Sequence, residues 1–112
     1  MTKAEEHFEK GNGYFDKEDF FKAYDEFTNA INSSSAFGPE KDVYFRSLLN
    51  RGVVAANING QHGPIYGPLG ARSNWLKILQ LDKDAERLAA VQYAFQNLPE
   101  QFRPTKKGDL WV

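Results

Sequence analysis

The sequence predicts an all-α protein of about five helices packed in antiparallel pairs. Apolar residues recur at intervals of three and four residues over successive segments, which is the spacing of one helix face. Residues that cap helices precede these segments, and glycine and proline separate them. No segment shows the sustained alternation of apolar and polar residues that is typical of a strand.

The first two helices are predicted over residues 2–16 and 20–32. Thr2 and Glu5 have the spacing of a capping box, in which each side chain accepts a hydrogen bond from the other residue's backbone. Asp19 is suited to cap the second helix, because its carboxylate can accept from the first free backbone N–H groups. The apolar stripe of that helix is formed by Phe20, Ala23, Tyr24, Phe27, Ala30 and Ile31.

Three more helices are predicted at residues 40–58, 71–81 and 84–98. A serine-rich linker, residues 32–39, precedes the first of these helices. Its final proline suits a helix start, because the N–H that proline lacks would have no partner there. Four glycines and two prolines within residues 59–70 predict a loop without regular structure.

The chain is predicted to form one domain, residues 1–98, followed by an irregular tail, residues 99–112. A chain of 112 residues has room for one modest core. The tail ends in Leu110, Trp111 and Val112, and two interpretations of these apolar residues stay open. They complete the core by packing on the last helix, or they bind the groove of a partner or of a second copy.

Composition excludes several functional classes. With 14 basic and 15 acidic side chains, the chain lacks the basic excess of a protein that binds nucleic acid or an anionic membrane. It has no cysteine and two histidines, so we expect no metal, no cofactor and a reducing compartment such as the cytoplasm. No apolar run is long enough to cross a bilayer. No serine, histidine and carboxylate are related in a catalytic pattern, and we expect no enzyme activity.

Charge is unevenly distributed along the chain. Residues 1–30 carry eight acidic and four basic side chains, whereas residues 41–80 carry five basic and one acidic. One interpretation is a set of solvated helix faces that attract one another weakly. The other is a positive surface in the middle of the chain that meets an acidic partner.

An internal repeat relates the first two helices to the third and fourth. Counted from Gly11, the residues 12, 16 and 19 positions later are alanine, phenylalanine and alanine. Counted from Gly52, the residues 19, 23 and 26 positions later are alanine, tryptophan and isoleucine. The second unit therefore repeats the first with seven residues added between its helices. Small residues let two helices approach closely, so we expect Gly11 to pack on Ala23 and Gly52 on Ala71.

This pattern resembles the tetratricopeptide repeat, a helix–turn–helix unit of about 34 residues. Residues 4–37 match one unit, and residues 45–85 match a second unit with an expanded loop at 59–70. The last helix, residues 84–98, departs from the pattern and is interpreted as a cap. The resemblance implies a right-handed superhelix of helix pairs that binds another protein and catalyses no reaction.

In this family the first helix of each unit lines a concave groove that holds an extended peptide. The resemblance therefore implies a protein or peptide partner bound in such a groove, although the phenylalanines at these positions are alternatively core residues. The peptide-binding residues that it implies are Phe8, Asn12 and Phe15 in the first unit, Arg46, Leu49, Asn50, Val53 and Asn57 in the second, and Arg87 in the cap helix, with Glu5, Asp16 and Ala90 beside them.

One subset of the family grips the terminal carboxylate of acidic chaperone tails with two asparagines and several cations. Asn12 and the Asn50-Arg51 pair are similar to this subset, since an amide can donate to a carboxylate. The chain departs from it at Phe8, where a lysine is usual, and only Arg87 approximates the cations of a further repeat. A chaperone tail is one expected partner. Alternatively, the two asparagines form ordinary hydrogen bonds on helix surfaces.

Two further surfaces are alternatives to the groove. The loop 59–70 is either an insertion tolerated at a surface turn or a contact loop in which Ile65, Tyr66 and Leu69 meet the groove or a partner. The chain is alternatively a self-associating protein, such as a homodimer, or a subunit of a complex, because two repeats expose apolar edges. Such contacts would use the outer helix faces around Trp75, Leu88 and Phe95.

Overall fold

The structure, a computed structural model, describes residues 1–104, and in that range it contains helices and no strand. The prediction of an all-α protein with antiparallel helix pairs is confirmed. None of the helices in this range has the length and hydropathy needed to cross a membrane. The final part of the predicted tail, residues 105–112, lies outside the described residues. The helices are α1 (Lys3–Asp16), α2 (Phe20–Asn32), α3 (Lys41–Ala56), α4 (Gly67–Leu81) and α5 (Ala85–Phe95), with 3₁₀ helices at Gly60–His62 and Glu100–Phe102.

Local hydrogen bonds set the starts of α1 and α2 as the sequence predicts. The hydroxyl of Thr2 accepts from the backbone N–H of Glu5 at 3.2 Å, and the Glu5 carboxylate accepts from the N–H of Thr2 at 2.8 Å. These reciprocal bonds form the capping box and hold the pKa of Glu5 below its usual value. Asp19 caps α2 by accepting from the N–H of Lys22.

A glycine lies beneath an aromatic ring in each of the two helix pairs. A Cβ at Gly11 would lie 2.6 Å from Cε1 of Phe27, and a Cβ at Gly52 would lie 2.2 Å from Nε1 of Trp75. Both rings are buried, and the Trp75 indole N–H donates to the carbonyl of Leu49 at 3.0 Å. The same contact therefore occurs twice, at the offsets that the internal repeat predicts.

The atoms nearest to a Cβ at each glycine belong to an aromatic ring and not to the alanine expected there. Ala23 and Ala71 are fully buried, but the ring that covers each glycine belongs to the residue one turn further along the partner helix. Long helical side chains lean toward the helix N-terminus and cover the preceding turn. A ring at position 27 or 75 therefore reaches the level of the alanine four residues earlier.

Helix α3 lies at the centre of the molecule. It contacts all four of the other α-helices, most extensively α2 and α4. It also contributes to both hydrophobic clusters. One cluster unites α3 with α4 and α5 through buried side chains that include Phe45, Leu48, Trp75, Ile78 and Phe95. The other unites α2 with the second half of α3 through Ala23, Tyr24, Phe27, Val54, Ala55 and Ile58.

Helix α4 begins earlier than the sequence predicts. The prediction of a loop without regular structure over residues 59–70 is wrong at Gly60–His62, which form a 3₁₀ helix, and in its last four positions, because α4 starts at Gly67. Pro68 lies in the first turn, where its missing N–H breaks no hydrogen bond. Gly70 is required by close packing, since a Cβ there would lie 2.0 Å from the carbonyl oxygen of Ile65. The glycine and proline of this segment thus serve a helix start.

The loop before α4 packs against α2. The ring of Tyr66 lies 5.1 Å from the ring of Tyr24 and 5.5 Å from the ring of Phe21. Ile65 and Leu69, at either side of Tyr66, remain about half exposed, at 49% and 57%. The loop therefore covers part of α2.

Helix α5 closes the cluster around Trp75. Asp84 caps it by accepting from the N–H of Arg87 at 3.0 Å. The helix ends at Phe95, three residues before the predicted end, yet Leu98 stays buried in the same cluster. The Arg103 guanidinium donates to the Leu98 carbonyl at 2.8 Å and so holds the following segment against the end of α5.

Candidate functional site

Helices α1, α3 and α5 bring most of the predicted binding residues to one surface. A cavity of about 90 Å³ opens between α1 and α3, and four of its five lining residues are predicted binding residues. These four are Asn12, Phe15, Asn50 and Val53, and the fifth is Phe27 of α2. The name groove is used below for the surface formed by Phe8, Asn12, Phe15, Arg46, Leu49, Asn50, Val53 and Ala90.

Two asparagines face each other at this cavity. The Nδ2 of Asn50 donates to the Oδ1 of Asn12 at 2.9 Å, which joins α3 to α1. In this arrangement the Nδ2 of Asn12 is still a donor and the Oδ1 of Asn50 is still an acceptor. The pair therefore offers one hydrogen-bond donor and one acceptor, which complement the C=O and N–H of a peptide group. Both lie beside the apolar side chains of the cavity.

Phe8 and Arg46 continue the groove toward the N-terminal end of α3. The ring of Phe8 is partly buried, and its centre lies 5.8 Å from that of Phe27. The Arg46 guanidinium lies over the Phe8 ring, 5.1 Å from its centre. Arg46 also approaches Asp42 at 3.6 Å, but 55% of its side chain is exposed. Its charge thus remains accessible at the surface of the groove.

A second cavity of about 470 Å³ lies between α3 and α5. Its lining includes Arg46, Leu49 and Ala90, together with Arg87 and the acidic residues Asp42, Asp84 and Glu86. The predicted groove residues of α3 and α5 are therefore adjacent, and carboxylates that the sequence analysis did not single out lie among them.

The charge of Arg87 is compensated within the protein. Its Nε donates to Asp82 Oδ2 at 2.6 Å and its Nη2 to Asp82 Oδ1 at 3.2 Å, while its Nη1 binds Asp42. Only 15% of its side chain is exposed. The hydrogen bond to Asp82 raises the pKa of Arg87 further. Arg87 therefore links α3 to the start of α5, and little of its charge is available to a ligand.

Asp82 is the buried partner of this network. Burial alone would raise its pKa, but hydrogen bonds from Arg87 and from the backbone N–H groups of Asp84 and Lys83 lower the pKa below its usual value. The carboxylate is therefore ionised at neutral pH. Its role is to fix the turn between α4 and α5.

Asn57 is not drawn into either cavity of the groove. Its Nδ2 donates to the carbonyl of Val53 at 2.8 Å, one turn earlier in α3, and its side chain is exposed. It closes the end of its own helix. It lines a different cavity of about 250 Å³, beside residues that include Phe20 and His62, at the end of the molecule that holds the loop before α4.

Arg51 lies on a different face of α3 from its neighbour Asn50. Consecutive residues of a helix point about 100° apart. Asn50 bonds to α1, whereas the Arg51 guanidinium bonds to Thr28 of α2 and Asn74 of α4. Asn50 and Arg51 therefore do not act on one ligand group, although they are adjacent in sequence.

The residues proposed for self-association are unsuitable for an outer contact. Trp75 and Phe95 are 3% and 1% exposed, and their rings pack edge to face at 5.5 Å. Leu88 is partly buried against the same cluster. The side chains expected at an outer face thus fill the core, because α5 folds back over α4.

Phe27 and Asp42 are examples of site residues that the sequence analysis did not assign to the site. Phe27 was expected in the apolar stripe of the second helix, and it also forms part of the cavity wall. Asp42 lies four residues before Arg46, and this i,i+4 spacing was a usable signal for a charge pair. Within residues 1–104, no three or more histidine, aspartate or glutamate side chains are grouped as a metal site would require.

Comparison of the chain with models of protein families, with curated proteins and with solved structures finds no match.

Proposed function

We propose that this protein is an interaction module of the tetratricopeptide-repeat type that binds an extended segment of a partner protein in the groove. The observation that carries the proposal is the Asn12–Asn50 pair at the edge of an apolar cavity. The glycine–aromatic contact that occurs in both helix pairs supports the repeat on which the resemblance rests. Residues 1–104 contain no strand with which the backbone of such a segment could pair. Side chains of the groove would therefore make most of the contacts with it.

The chemistry of the groove suits an extended peptide. Within residues 1–104 the Nδ2 of Asn12 and the Oδ1 of Asn50 have no hydrogen-bond partner. The first can donate to a peptide carbonyl, and the second can accept from a peptide N–H. An apolar side chain of the same segment can enter the cavity beside Phe15 and Val53. Arg46 lies next to this position and would attract an acidic residue of the segment.

An acidic C-terminal tail, such as that of a chaperone, is the partner class that we propose to test first. Its support is the asparagine pair with Arg46 nearby. The compensated charge of Arg87 leaves fewer cations for a carboxylate than the resemblance implies. We therefore expect the groove to bind the segment mainly through its backbone and apolar side chain, with a smaller contribution from its terminal charge.

The proposal is tested by titrating the full-length chain with two synthetic peptides and recording amide NMR spectra. One peptide carries an apolar residue followed by acidic residues and a free terminal carboxylate, and the other is its C-terminal amide. We expect shifts at Asn12, Arg46 and Asn50 with both peptides, and weaker binding of the amide. Shifts confined to residues outside the groove would contradict the proposal for this class of ligand.

A selection from a random peptide library then tests the groove for any extended ligand. We expect Asn12→Ala and Asn50→Ala each to weaken binding of the selected peptides at least tenfold. Asn29→Ala is the matched control, because Asn29 is an exposed helical asparagine on α2 and does not line the groove. The proposal fails if no selected peptide depends on Asn12 or Asn50 more than on Asn29.

A further inference from the structure

Arg51 is a partly buried cation that has only neutral partners. Its Nε donates to the Oδ1 of Asn74 at 2.7 Å, and its Nη1 donates to the Oγ1 of Thr28 at 3.1 Å. Its guanidinium lies 5.3 Å from the centre of the Tyr24 ring. Within residues 1–104, no carboxylate forms an ion pair with it. A side chain of α3 thus occupies the seam between α2 and α4.

The neutral partners of Arg51 are themselves held in place. The Thr28 hydroxyl donates to the carbonyl of Tyr24 at 2.9 Å, so its oxygen is oriented to accept from Arg51. The Asn74 amide donates to the carbonyl of Gly70 at 2.8 Å, so its Oδ1 also faces the guanidinium. Asn74 is 5% exposed. The guanidinium is therefore fixed in one orientation before any ligand arrives.

One edge of the guanidinium remains available. The Nη2 of Arg51 makes no hydrogen bond to any residue in 1–104. It is also reached by solvent, because the only fully shielded side-chain polar atom without a partner in that range is the Oγ of Ser47. Two N–H groups of Nη2 and one of Nη1 thus have no partner in residues 1–104, and a guanidinium with such donors can bind a carboxylate through two parallel hydrogen bonds.

The contrast with Arg87 shows what is missing at Arg51. Both arginines are partly buried in contacts between helices, but Arg87 is bound by Asp82 and Asp42. At Arg51, burial lowers the pKa, an effect that Tyr24 and Tyr44 only partly oppose. A partly buried charge without a counter-charge costs stability, and an added anion would regain part of that cost.

We propose that Arg51 is a binding point for the carboxylate of an aspartate or glutamate on a partner protein that docks across α2 and α4. This surface lies on a different face of α3 from the groove, since Asn50 and Arg46 contact α1 and Arg51 contacts α2 and α4. The proposal is independent of the groove and of the peptide that binds there.

The charge at the seam suits a carboxylate. The side chains that hold Arg51 are Tyr24, Thr28 and Asn74, and none of them carries a positive charge. One guanidinium balances one carboxylate, whereas a phosphate with about −1.5 to −2 charge would need a second cation. Because the guanidinium is already partly desolvated and oriented, it should bind a carboxylate more tightly than an exposed arginine does.

The test follows the Nε–H resonances of the arginines in the full-length chain during titration with sodium acetate at constant ionic strength. We expect the Arg51 resonance to shift saturably, with a dissociation constant at least tenfold lower than that at Arg72. Arg72 is the matched control. Within residues 1–104 it forms no ion pair, and no side-chain acceptors hold its guanidinium as Asn74 and Thr28 hold that of Arg51. Equal, unsaturated shifts at both arginines would overturn the proposal.

Two variants and a second probe separate the binding role from a structural one. Thr28→Val keeps the side-chain shape and removes the acceptor that orients Nη1, so we expect acetate affinity at Arg51 to fall at least threefold. In the wild type the side-chain amide of Asn74, which bonds to Arg51, should also shift saturably with acetate. Arg51→Lys keeps the charge but lacks paired N–H donors, and this shift should then disappear. If Thr28→Val leaves acetate affinity unchanged, or if inorganic phosphate binds Arg51 more tightly than acetate, the carboxylate assignment is wrong.

Discussion

At the scale of single residues, the two glycines beneath aromatic rings are the positions most sensitive to one added methyl group. A Cβ at Gly52 would lie 2.2 Å from Nε1 and 2.7 Å from Cδ1 of Trp75. The indole is also fixed by its hydrogen bond to Leu49, so it cannot easily move away. We expect Gly52→Ala to lower the free energy of unfolding by about 1–3 kcal/mol, measured by urea denaturation.

Gly13 provides the control for this substitution. Apart from adjacent residues and the backbone of its own helix, no heavy atom in residues 1–104 lies within 4 Å of a Cβ placed there, and Gly13 is also within an α-helix. Gly13→Ala should therefore raise stability by up to about 1 kcal/mol, because alanine favours the helix more than glycine does. If Gly52→Ala behaves like Gly13→Ala, the close contact with Trp75 is wrong.

The ion pair of Asp82 with Arg87 predicts a pH dependence of stability. The pKa of Asp82 is lower in the folded protein than its usual value of about 3.9. Its contribution is therefore complete above that value and is lost as the pH falls through the lower folded pKa. We expect Asp82→Asn to cost about 3 kcal/mol at pH 7, because it leaves a buried charge with one fewer partner.

The diagnostic feature of this prediction is its change with pH. The difference in unfolding free energy between the wild type and Asp82→Asn should shrink as the pH is lowered below about 4. Glu86→Gln is the control, since Glu86 is exposed and forms no ion pair within residues 1–104. A difference that stays constant between pH 7 and pH 3 would show that the carboxylate charge is unimportant.

At the scale of helices, α5 depends strongly on its cap. It is the shortest of the five α-helices, with 11 residues, and the Asp84 side chain accepts from the N–H of Arg87 in its first turn. Asp84→Ala should cost about 1 kcal/mol and speed amide exchange selectively in the first turn of α5. Asp25→Ala, an exposed substitution on α2, should leave that exchange unchanged. Uniform acceleration throughout the chain would contradict a local role.

The helix starts show which features a sequence can reveal. The caps formed by Thr2, Asp19 and Asp84 were predictable, because each bond joins residues three positions apart. The start of α4 was not, because Gly70 is required by the approach of the Ile65 carbonyl. The position of that carbonyl depends on the path of the loop that joins α3 to α4. Glycine and proline density alone does not distinguish a loop from a helix start that is packed closely.

At the scale of the whole molecule, the sequence placed side chains of α1 and α3 beside one cavity but did not place the charges that lie between helices. Asn12 and Asn50 bond across 38 residues, although Asn12 follows Gly11 by one residue and Asn50 precedes Gly52 by two, so they hold different positions in the two units. The contact of Arg87 with Asp42 was missed, because Asp42 lies 45 residues away and belongs to a different helix. The period of a repeat predicts which positions of neighbouring helices lie beside each other. It carries no information about where two charges of different helices meet.

The central position of α3 predicts that the two hydrophobic clusters unfold together. Ile78 belongs to the cluster of α3, α4 and α5, and Ile58 follows α3 in the cluster shared with α2. Both are buried, so Ile78→Val and Ile58→Val should each cost about 1 kcal/mol. Because α3 contributes side chains to both clusters, opening either one exposes the other. Each variant should therefore speed the slowest-exchanging amides throughout the protein about fivefold.

This coupling distinguishes one cooperative domain from two helix pairs that are merely adjacent. In stacked repeats, each unit gains stability only from its own contacts and from the interface with its neighbour. If that interface were weak, Ile78→Val would speed exchange in α4 and α5 and leave the slowest amides of α2 unchanged. The measurement is native-state amide exchange of both variants at one pH. If both variants speed exchange equally in α2 and α4, the loss of stability in one cluster also reaches the other through α3. If the exchange rates of α2 and α4 change unequally, the two clusters have separate stabilities.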